Sequence, residues 1–571
     1  MKILGINFSN DAAAALVVDG RRVAASTEER FSRVKHDASF PGKAVDFCLK
    51  AGGLKLADLD AVGFFWNPGA HLETPNRRLS GQIRHHAEYL YAVPNHLLGR
   101  LEDPQVERVS QTFHLAGGKA LNLHYIDHHL CHAASGFFNT PWDEAAVLTT
   151  DGYGERCSTM IAQAKGRTLT PLLRVEFPHS VGSLYAALTE YLGFKPNSGE
   201  GKVMGLSSYG RRTDYYDKLR GLVKLTDQGF ELDLNYFSFN MERSRRYTRK
   251  LVDLLGPERR PETELTPRHE DLAKALQLVT EDILLHLAGL ARRLVPSDRL
   301  ILNGGVALNC VANSRLQFES GFKDFSFFAA ASDAGSSLGA AQYVAHVLHD
   351  DPRDPAPYTE YLGYASDDAE IDLAILRAGA ESKLVTDPAA LAAKLLADGH
   401  ILGWCQGRAE YGPRALGNRS ILADPRRPEM KDVLNARVKF REPFRPFAPS
   451  CLEEACGDLF DCATPSPWML RVYNTRPEHL HDLASITHVD GGARVQTVTD
   501  QQNHLYYQLI KEFGRLTGVP CVLNTSFNIR GEPIVNSAHD ALRCYLGTDL
   551  DYLFLGNRLV AKRGKPFPQG L

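Results

Sequence analysis

The stretch Ala145-Ala146-Val147-Leu148-Thr149-Thr150-Asp151-Gly152-Tyr153-Gly154 decides how the 571-residue chain is read. Its apolar run predicts a buried strand, and Asp151-Gly152 places a carboxylate where that strand meets open space. Downstream, residues 158–164 and, after the Lys165-Gly166 turn, 169–177 read as two more strands. Upstream lies His128-His129-Leu130-Cys131-His132-Ala133-Ala134, which predicts a helix over 130–136. On such a helix His128 and His132 stand one turn apart with both imidazoles on one face. With Asp151 they form a two-histidine, one-carboxylate set suited to iron(II), manganese or zinc. Two helical histidines with no metal remain the ordinary alternative.

The same pattern opens the chain. Residues 3–7 and 13–18 read as strands, Asp19-Gly20 as a tight hairpin turn, and 22–27 as a third strand. Two such meanders about 145 residues apart predict a duplicated α/β fold with two halves across a cleft, as in actin-like and sugar-kinase ATPases. Between them, Glu28-Glu29-Arg30-Phe31-Ser32-Arg33-Val34-Lys35-His36 is dense in charge, and Lys35 is a candidate phosphate contact. Residues 68–106, with Arg77, Arg78, Arg84, His85 and His86, read as an insertion shaping an acceptor pocket. Gly199-Glu200-Gly201-Lys202-Val203-Met204-Gly205 reads as a glycine-rich turn that lets backbone N–H groups approach an anion, although it lacks the Gly-Lys-Ser/Thr of a Walker A loop.

Thr266-Pro267 starts a long helix with an apolar stripe at Leu272, Leu276, Val279, Ile283, Leu287 and Leu290, which is core packing. Leu300-Ile301-Leu302-Asn303 is a buried strand that turns through Gly304-Gly305 toward a helix. Residues 325–330 form another strand, and Asp333 follows it as a further acid positioned to complete the metal shell.

Charged residues are 23% of the chain and the net charge is −3, so no basic excess marks a nucleic-acid partner. No apolar run reaches membrane-spanning length and no secretory signal is readable, so a soluble cytoplasmic protein is expected. The 10 cysteines contain no Cys-x-x-Cys pair and read as buried reduced thiols. His-x-x-x-His without an intervening Glu argues against a zinc protease.

After the proline-rich 352–357 a second domain is expected over 358–571. Its loops interleave Arg and Lys with Gly, Pro, Asn and Ser in Gly412-Pro413-Arg414-Ala415-Leu416-Gly417-Asn418-Arg419, Lys439-Phe440-Arg441-Glu442-Pro443-Phe444-Arg445-Pro446-Phe447-Ala448-Pro449, Arg494, and Asn524-Thr525-Ser526-Phe527-Asn528. Guanidinium forks in that setting suit a small polyanion.

Together with Glu28-Glu29-Arg30-Phe31, Gly304-Gly305-Val306 and Ser332-Asp333, these motifs resemble the O-carbamoyltransferases of the nodulation-protein-U, cephem and tobramycin type along essentially the whole chain. The resemblance implies a first domain, 1–351, with the duplicated actin-like ATPase fold of the threonylcarbamoyl-transferases, and a YrdC-like α/β domain after it. It implies that ATP and carbamoyl phosphate form carbamoyl-adenylate in the second domain. The carbamoyl group then passes to a hydroxyl of a small-molecule acceptor, in antibiotic or other secondary-metabolite biosynthesis. Implied metal ligands are His128, His132, Asp151 and Asp333, with iron(II) favoured over manganese, zinc or magnesium. Lys35, Gly182, Gly305 and Asn309 would hold nucleotide, and Arg414, Arg419, Lys439, Arg445, Arg494, Asn524 and Asn528 would hold carbamoyl phosphate and ATP.

Where the family usually has His-Asp after the first strand, this chain has Asn10-Asp11. An amide takes no proton at neutral pH, so Asn10 would orient the acceptor while Asp11, His36, Asp151 or a metal-bound group takes the proton. N-carbamoyl or threonylcarbamoyl transfer, and a non-catalytic actin-like ATP switch, are the alternatives. No nucleic acid or membrane partner is expected, and the oligomeric state, a homodimer among the options, stays open.

Overall fold

The computed structural model describes residues 1–9, 11–67, 108–240, 245–462 and 464–569. They divide into two units, Met1–Glu28 with Asp37–Tyr358, and Glu29–His36 with Thr359–Leu571.

In the first unit, β1 (Lys2–Asn7), β2 (Ala13–Val18) and β3 (Arg21–Thr27) form an antiparallel meander. Its turn carries Asp19 and Gly20 at φ 50° and 75°, the conformation a two-residue hairpin requires. β4 (Ala61–Phe64) joins β1 in parallel, β6 (Ala120–Ile126) joins β4 in parallel, and β5 (Arg108–His114) closes the edge, in the order β3-β2-β1-β4-β6-β5. The second sheet repeats the plan. β7 (Glu144–Thr150), β8 (Cys157–Lys165) and β9 (Thr168–Glu176) form the meander, and β12 (Arg299–Asn303) and β13 (Asp324–Phe327) add in parallel. A small hairpin, β10 (Val223–Thr226) and β11 (Gly229–Leu232), lies between. The duplicated α/β plan expected from the two meanders is therefore present. β13 ends before residue 328, shorter than the apolar run suggested, because the chain turns there toward Asp333.

The helix Pro267–Leu294 starts at a capping box of Thr266 and His269 and buries Leu272, Leu276, Val279, Ile283, Leu287 and Leu290. The helices His128–Phe137 and Asp333–Gln342 pack against each other. A Cβ on Gly339 would lie 1.8 Å from the Cys131 carbonyl oxygen, so only glycine permits the approach that brings the two histidines to Asp333. The glycine-rich reading of 199–205 is corrected: Glu200–Leu206 is a helix, with Lys202 over the Phe194 ring. From Lys202 onward the backbone N–H groups are spent on carbonyls of the helix itself, so the segment is a helical turn rather than a glycine-rich loop.

The second unit is built on a mixed eight-stranded sheet in the order β14-β23-β22-β15-β16-β21-β17-β20. In chain order its strands are β14 (Glu381–Leu384), β15 (Leu402–Cys405), β16 (Arg419–Ala423), β17 (Ala448–Leu452), β20 (Gln496–Val498), β21 (Cys521–Ser526), β22 (Tyr552–Leu555) and β23 (Arg558–Ala561). β18 (Val472–Asn474) and β19 (Gly492–Arg494) pair separately. Glu29–His36 belongs here although it is encoded near the start of the chain. The Arg30 guanidinium, 3% exposed, donates to the carbonyls of Gly412 and Val535, and Arg33 donates to those of Pro533 and Ile534. All ten cysteines are free, nine of them buried. Among the described residues no helix is long and apolar enough to cross a membrane.

Candidate metal centre and cationic site

The helix His128–Phe137 begins at Asp127, whose carboxylate accepts the Leu130 N–H at 2.9 Å. Its polar start exists because the first-turn N–H groups need acceptors. The helical repeat then sets His128 Nε2 3.1 Å from His132 Nε2. Asp151 Oδ2, at the end of β7, is 3.1 Å from His132 Nε2 and 3.8 Å from His128 Nε2. Asp333 Oδ1, in the first turn of its helix, is 3.7 Å from His128 Nε2 and 3.8 Å from His132 Nε2. One ligand atom from each of the four lies within 4.8 Å of all the others.

Local contacts aim these groups. Gly305 N–H donates to Asp151 Oδ2 at 2.8 Å. Gly304, at φ 91°, makes that turn possible, since a Cβ there would meet the Thr150 carbonyl oxygen at 2.3 Å. Ser9 Oγ donates to Asp333 Oδ2 at 2.7 Å. Asn303 donates to the His132 carbonyl at 2.7 Å. Between the ligands, His129 is fixed by Thr149 Oγ1 at 2.8 Å and the Cys157 carbonyl at 3.0 Å; burial lowers it to about 3, so it is neutral and structural.

Burial alone would depress both imidazoles, but Asp151 and Asp333 outweigh it, lifting His132 to about 9 and raising His128. Burial conversely pushes Asp151 up, and the two imidazoles more than reverse that, holding it well below the carboxylate range. Concentrated opposite charge in a buried pocket suits a divalent cation in place of the protons. The donor set, two imidazole nitrogens and two carboxylates, matches iron(II), manganese or zinc chemistry, and the residues present fit such an ion.

Of the nucleotide candidates, Gly182 packs so closely on the Asp151-Gly152 backbone that a Cβ would meet it at 2.7 Å. Gly305 holds Asp151, and Asn309 caps the helix Cys310–Glu319 while exchanging amide hydrogen bonds with Gln277. Lys35 and His36 were expected in the first domain; they are part of the second unit, because the flanking Arg30 and Arg33 are bound there. Asp11 lies in the first unit. Asn10 and the arginine- and histidine-bearing 68–106 insertion lie outside the described residues.

In the second unit, Lys439 is 4% exposed and donates to Ser526 and Asn528, with Asn528 Oδ1 at 3.0 Å. Burial, then Arg441, Arg445 and Lys35, hold it well below the usual lysine range, with the Cys544 thiol opposing. Burial, Arg445 and Arg494 lower Arg441 to about 9 against Glu442. Arg445 is lowered by burial, Arg494 and Arg530, again against Glu442. Among the described residues, Lys35, Arg441, Arg445, Arg494 and Arg530 therefore gather beside Lys439 with Glu442 as the opposing acid these shifts name, a field that an anion relieves. Arg441 and Arg530 were missed as individual candidates, although both stand in the cation-bearing runs 439–450 and 523–533; Arg441 stacks 4.3 Å over Phe447. Arg414 and Arg494 are half-buried. Asn524 is 1% exposed and donates to Ala415, Ser450 and Gln496, while its Oδ1 meets no partner among the described residues.

Arg419 is a correction. It is 1% exposed, and all of its N–H groups go to backbone carbonyls of Asn536, Gln406, Asn418, Tyr364 and Gly407. A guanidinium has five donors, so none is left for phosphate. Arg419 is a structural staple.

The carbamoyltransferase N-terminus family model matches residues 2–342, and the carbamoyltransferase C-terminus model matches 393–562. The chain belongs to the carbamoyltransferase family and is an enzyme of that class. It is 41% identical to uncharacterized protein sll1178 of Synechocystis sp., over 99% of this chain and 97% of that one. It is 36% identical to nodulation protein NolNO of Sinorhizobium fredii, over 97% of this chain and 79% of the relative. Among solved structures, the activator of 2-hydroxyisocaproyl-CoA dehydratase from Clostridium difficile with bound ADPNP matches with a TM-score of 0.32 and 12% identity, over 60% of this chain and 94% of that one.

Proposed function

We propose that this carbamoyltransferase is an ATP-dependent O-carbamoyltransferase that uses carbamoyl phosphate through a carbamoyl-adenylate. The observation that carries the reading is the presence of a two-histidine, two-aspartate cluster in the first unit and a cationic cluster in the second, which we read as the actin-like and YrdC-like halves of such an enzyme. In the second unit, Lys35, Arg441, Arg445, Arg494 and Arg530 hold the phosphates of carbamoyl phosphate and ATP, while Lys439, whose ammonium donors go to Ser526 and Asn528, fixes the loop beside them. With one water, carbamoyl phosphate loses phosphate; the carbamate oxygen then displaces pyrophosphate from ATP. Excluding bulk water protects the labile mixed anhydride.

In the first unit, His128, His132, Asp151 and Asp333 hold a divalent metal, iron(II) by preference. When bound, that ion supplies Lewis acidity and a template for the adenylate phosphate. The acceptor hydroxyl attacks the carbamoyl carbon, the C–O bond to AMP breaks, and the hydroxyl proton leaves to a base. Asp151, held ionised by its imidazoles and by Gly305, is a ligand and a poor base. Asp11 takes the proton, with Asn10 orienting the hydroxyl. The acceptor is a small hydroxylated molecule of secondary metabolism, and the enzyme works in the cytoplasm without nucleic acid.

The test is product analysis with ATP, carbamoyl phosphate and iron(II), each omitted in turn. AMP and pyrophosphate that require carbamoyl phosphate support the reading. ADP formed without carbamoyl phosphate overturns it in favour of an actin-like ATPase.

A further inference from the structure

Metal-binding histidines are commonly oriented by a hydrogen bond from the ring nitrogen that faces away from the ion. Here both Nδ1 atoms, of His128 and of His132, are buried with no partner among the described residues. The imidazoles are therefore aimed by the backbone that carries them together with the Phe65 and Trp66 rings packed on His128. That backbone is tied at its first residue. Glu155, 6% exposed, accepts the His128 N–H with both oxygens, each at 3.2 Å, and also accepts the N–H of Asn67, which follows β4 by three residues. Glu155 stands four residues after Asp151 on the same turn. Within that turn Gly154 packs against the ligand helix, a Cβ there meeting His128 Cβ at 3.1 Å.

Glu155 serves the first N–H of the helix, but an N-terminal acceptor need not be a second buried acid reaching from the Asp151 turn. Asp127 already caps the helix through Leu130, and its other oxygen is paired with Arg174 at 2.8 Å. A second buried acid beside the first, with one arginine between the two, is costly to keep in the interior. What Glu155 adds is a link between the two ligand-bearing segments, the turn that carries Asp151 and the first residue of the helix that carries His128 and His132, with a further tie to Asn67, three residues beyond β4.

We propose that Glu155 is the positioning residue of the metal centre, setting the distance between Asp151 and the two histidines through the His128 N–H. The inference rests on the metal reading of the cluster, and its test is independent of carbamoyl transfer. Full-length Glu155→Ala, Glu155→Gln and parent protein are stripped with chelator and titrated with Co(II), following the visible ligand-field bands, the metal retained after gel filtration, and the melting temperature of the stripped protein. Glu155→Ala is expected to weaken Co(II) binding about 10- to 100-fold and to shift the bands toward a less regular geometry. Glu155→Gln, which keeps one acceptor oxygen for His128, restores most of the affinity. Carbamoyl-phosphate-dependent ATP–pyrophosphate exchange in the second unit stays at the parent rate in both, which a global loss of structure would not allow. Parent-like affinity and bands in Glu155→Ala overturn the proposal, as does a Glu155→Gln variant as weak as Glu155→Ala. Should Glu155→Ala fail to fold, Glu155→Asp, which withdraws the carboxylate by one methylene, must show the same loss of affinity or the proposal falls. A parent that binds no Co(II) overturns the metal reading itself.

Discussion

His132 Nε2 stands 3.1 Å from Asp151 Oδ2 in a pocket where neither has an alternative partner of opposite charge nearer than Asp333 or His128. With the metal removed, the pair is held as an ion pair by a proton on His132, lifted to about 9 because Asp151 and Asp333 outweigh burial. A raised folded-state value means that this stabilisation is complete below the ordinary histidine range and is lost as pH rises toward 9. The chelated protein should therefore melt at progressively lower temperature between about pH 6.5 and 9. The metal-loaded protein should gain stability over the same interval, because coordination needs neutral imidazoles. Parallel profiles for the two forms would contradict the shared site.

Removing one ligand separates the two half-reactions. His128→Ala takes away one of two nitrogen donors in a four-donor set, so acceptor carbamoylation should fall to background. The cationic cluster of the second unit is untouched, and carbamoyl-phosphate-dependent exchange of pyrophosphate into ATP should persist. Simultaneous loss of both activities in a folded variant would argue against two separate sites.

The converse variants probe the second unit. Arg445→Ala should slow exchange by about 10- to 100-fold, the worth of one or two charge-assisted hydrogen bonds to phosphate. Lys35→Ala should slow the same exchange even though it lies near the start of the chain, since Lys35 raises the positive field around Lys439. A Lys35→Ala variant with normal exchange and defective transfer would return Lys35 to the first unit's chemistry.

Arg419→Lys is expected to behave as a stability mutant. Three ammonium donors cannot serve five carbonyls, and a buried carbonyl left unpaired costs about 1–3 kcal/mol. The variant should unfold about 2–4 kcal/mol more easily in denaturant, with unchanged apparent affinity for carbamoyl phosphate in the fraction that folds. A weakened affinity at parent stability would restore Arg419 to the ligand site.

Much of the centre was legible because local rules sufficed. His128 and His132 follow from helical spacing, and Asp151 from the end of an apolar strand before glycine. Asp333 follows from a strand that runs into a helix, although β13 ends sooner than its apolar sequence implied. What could not be read depends on tertiary burial. Arg414, Arg419 and Arg445 look alike in sequence; only the fold shows that one of them spends every donor on backbone. Residues 199–205 have the glycines of a turn and are helical, because their contacts with the helix Pro267–Leu294 outweigh the intrinsic cost of glycine. Glu155 carried no signal, since an acid four residues beyond Asp151 announces nothing until its N–H partners are known.

The placement of Arg30 has a consequence for how the protein is made. Its carbonyl partner at Val535 lies 505 residues further along the chain. At about 5–20 residues per second, a ribosome needs roughly 25–100 s to supply it. Throughout that interval the nascent Glu29–His36 segment carries buried-type arginines with nothing to bury them. The second unit cannot be completed before Val535 has been made, so a product stalled short of it leaves Arg30 without this carbonyl partner.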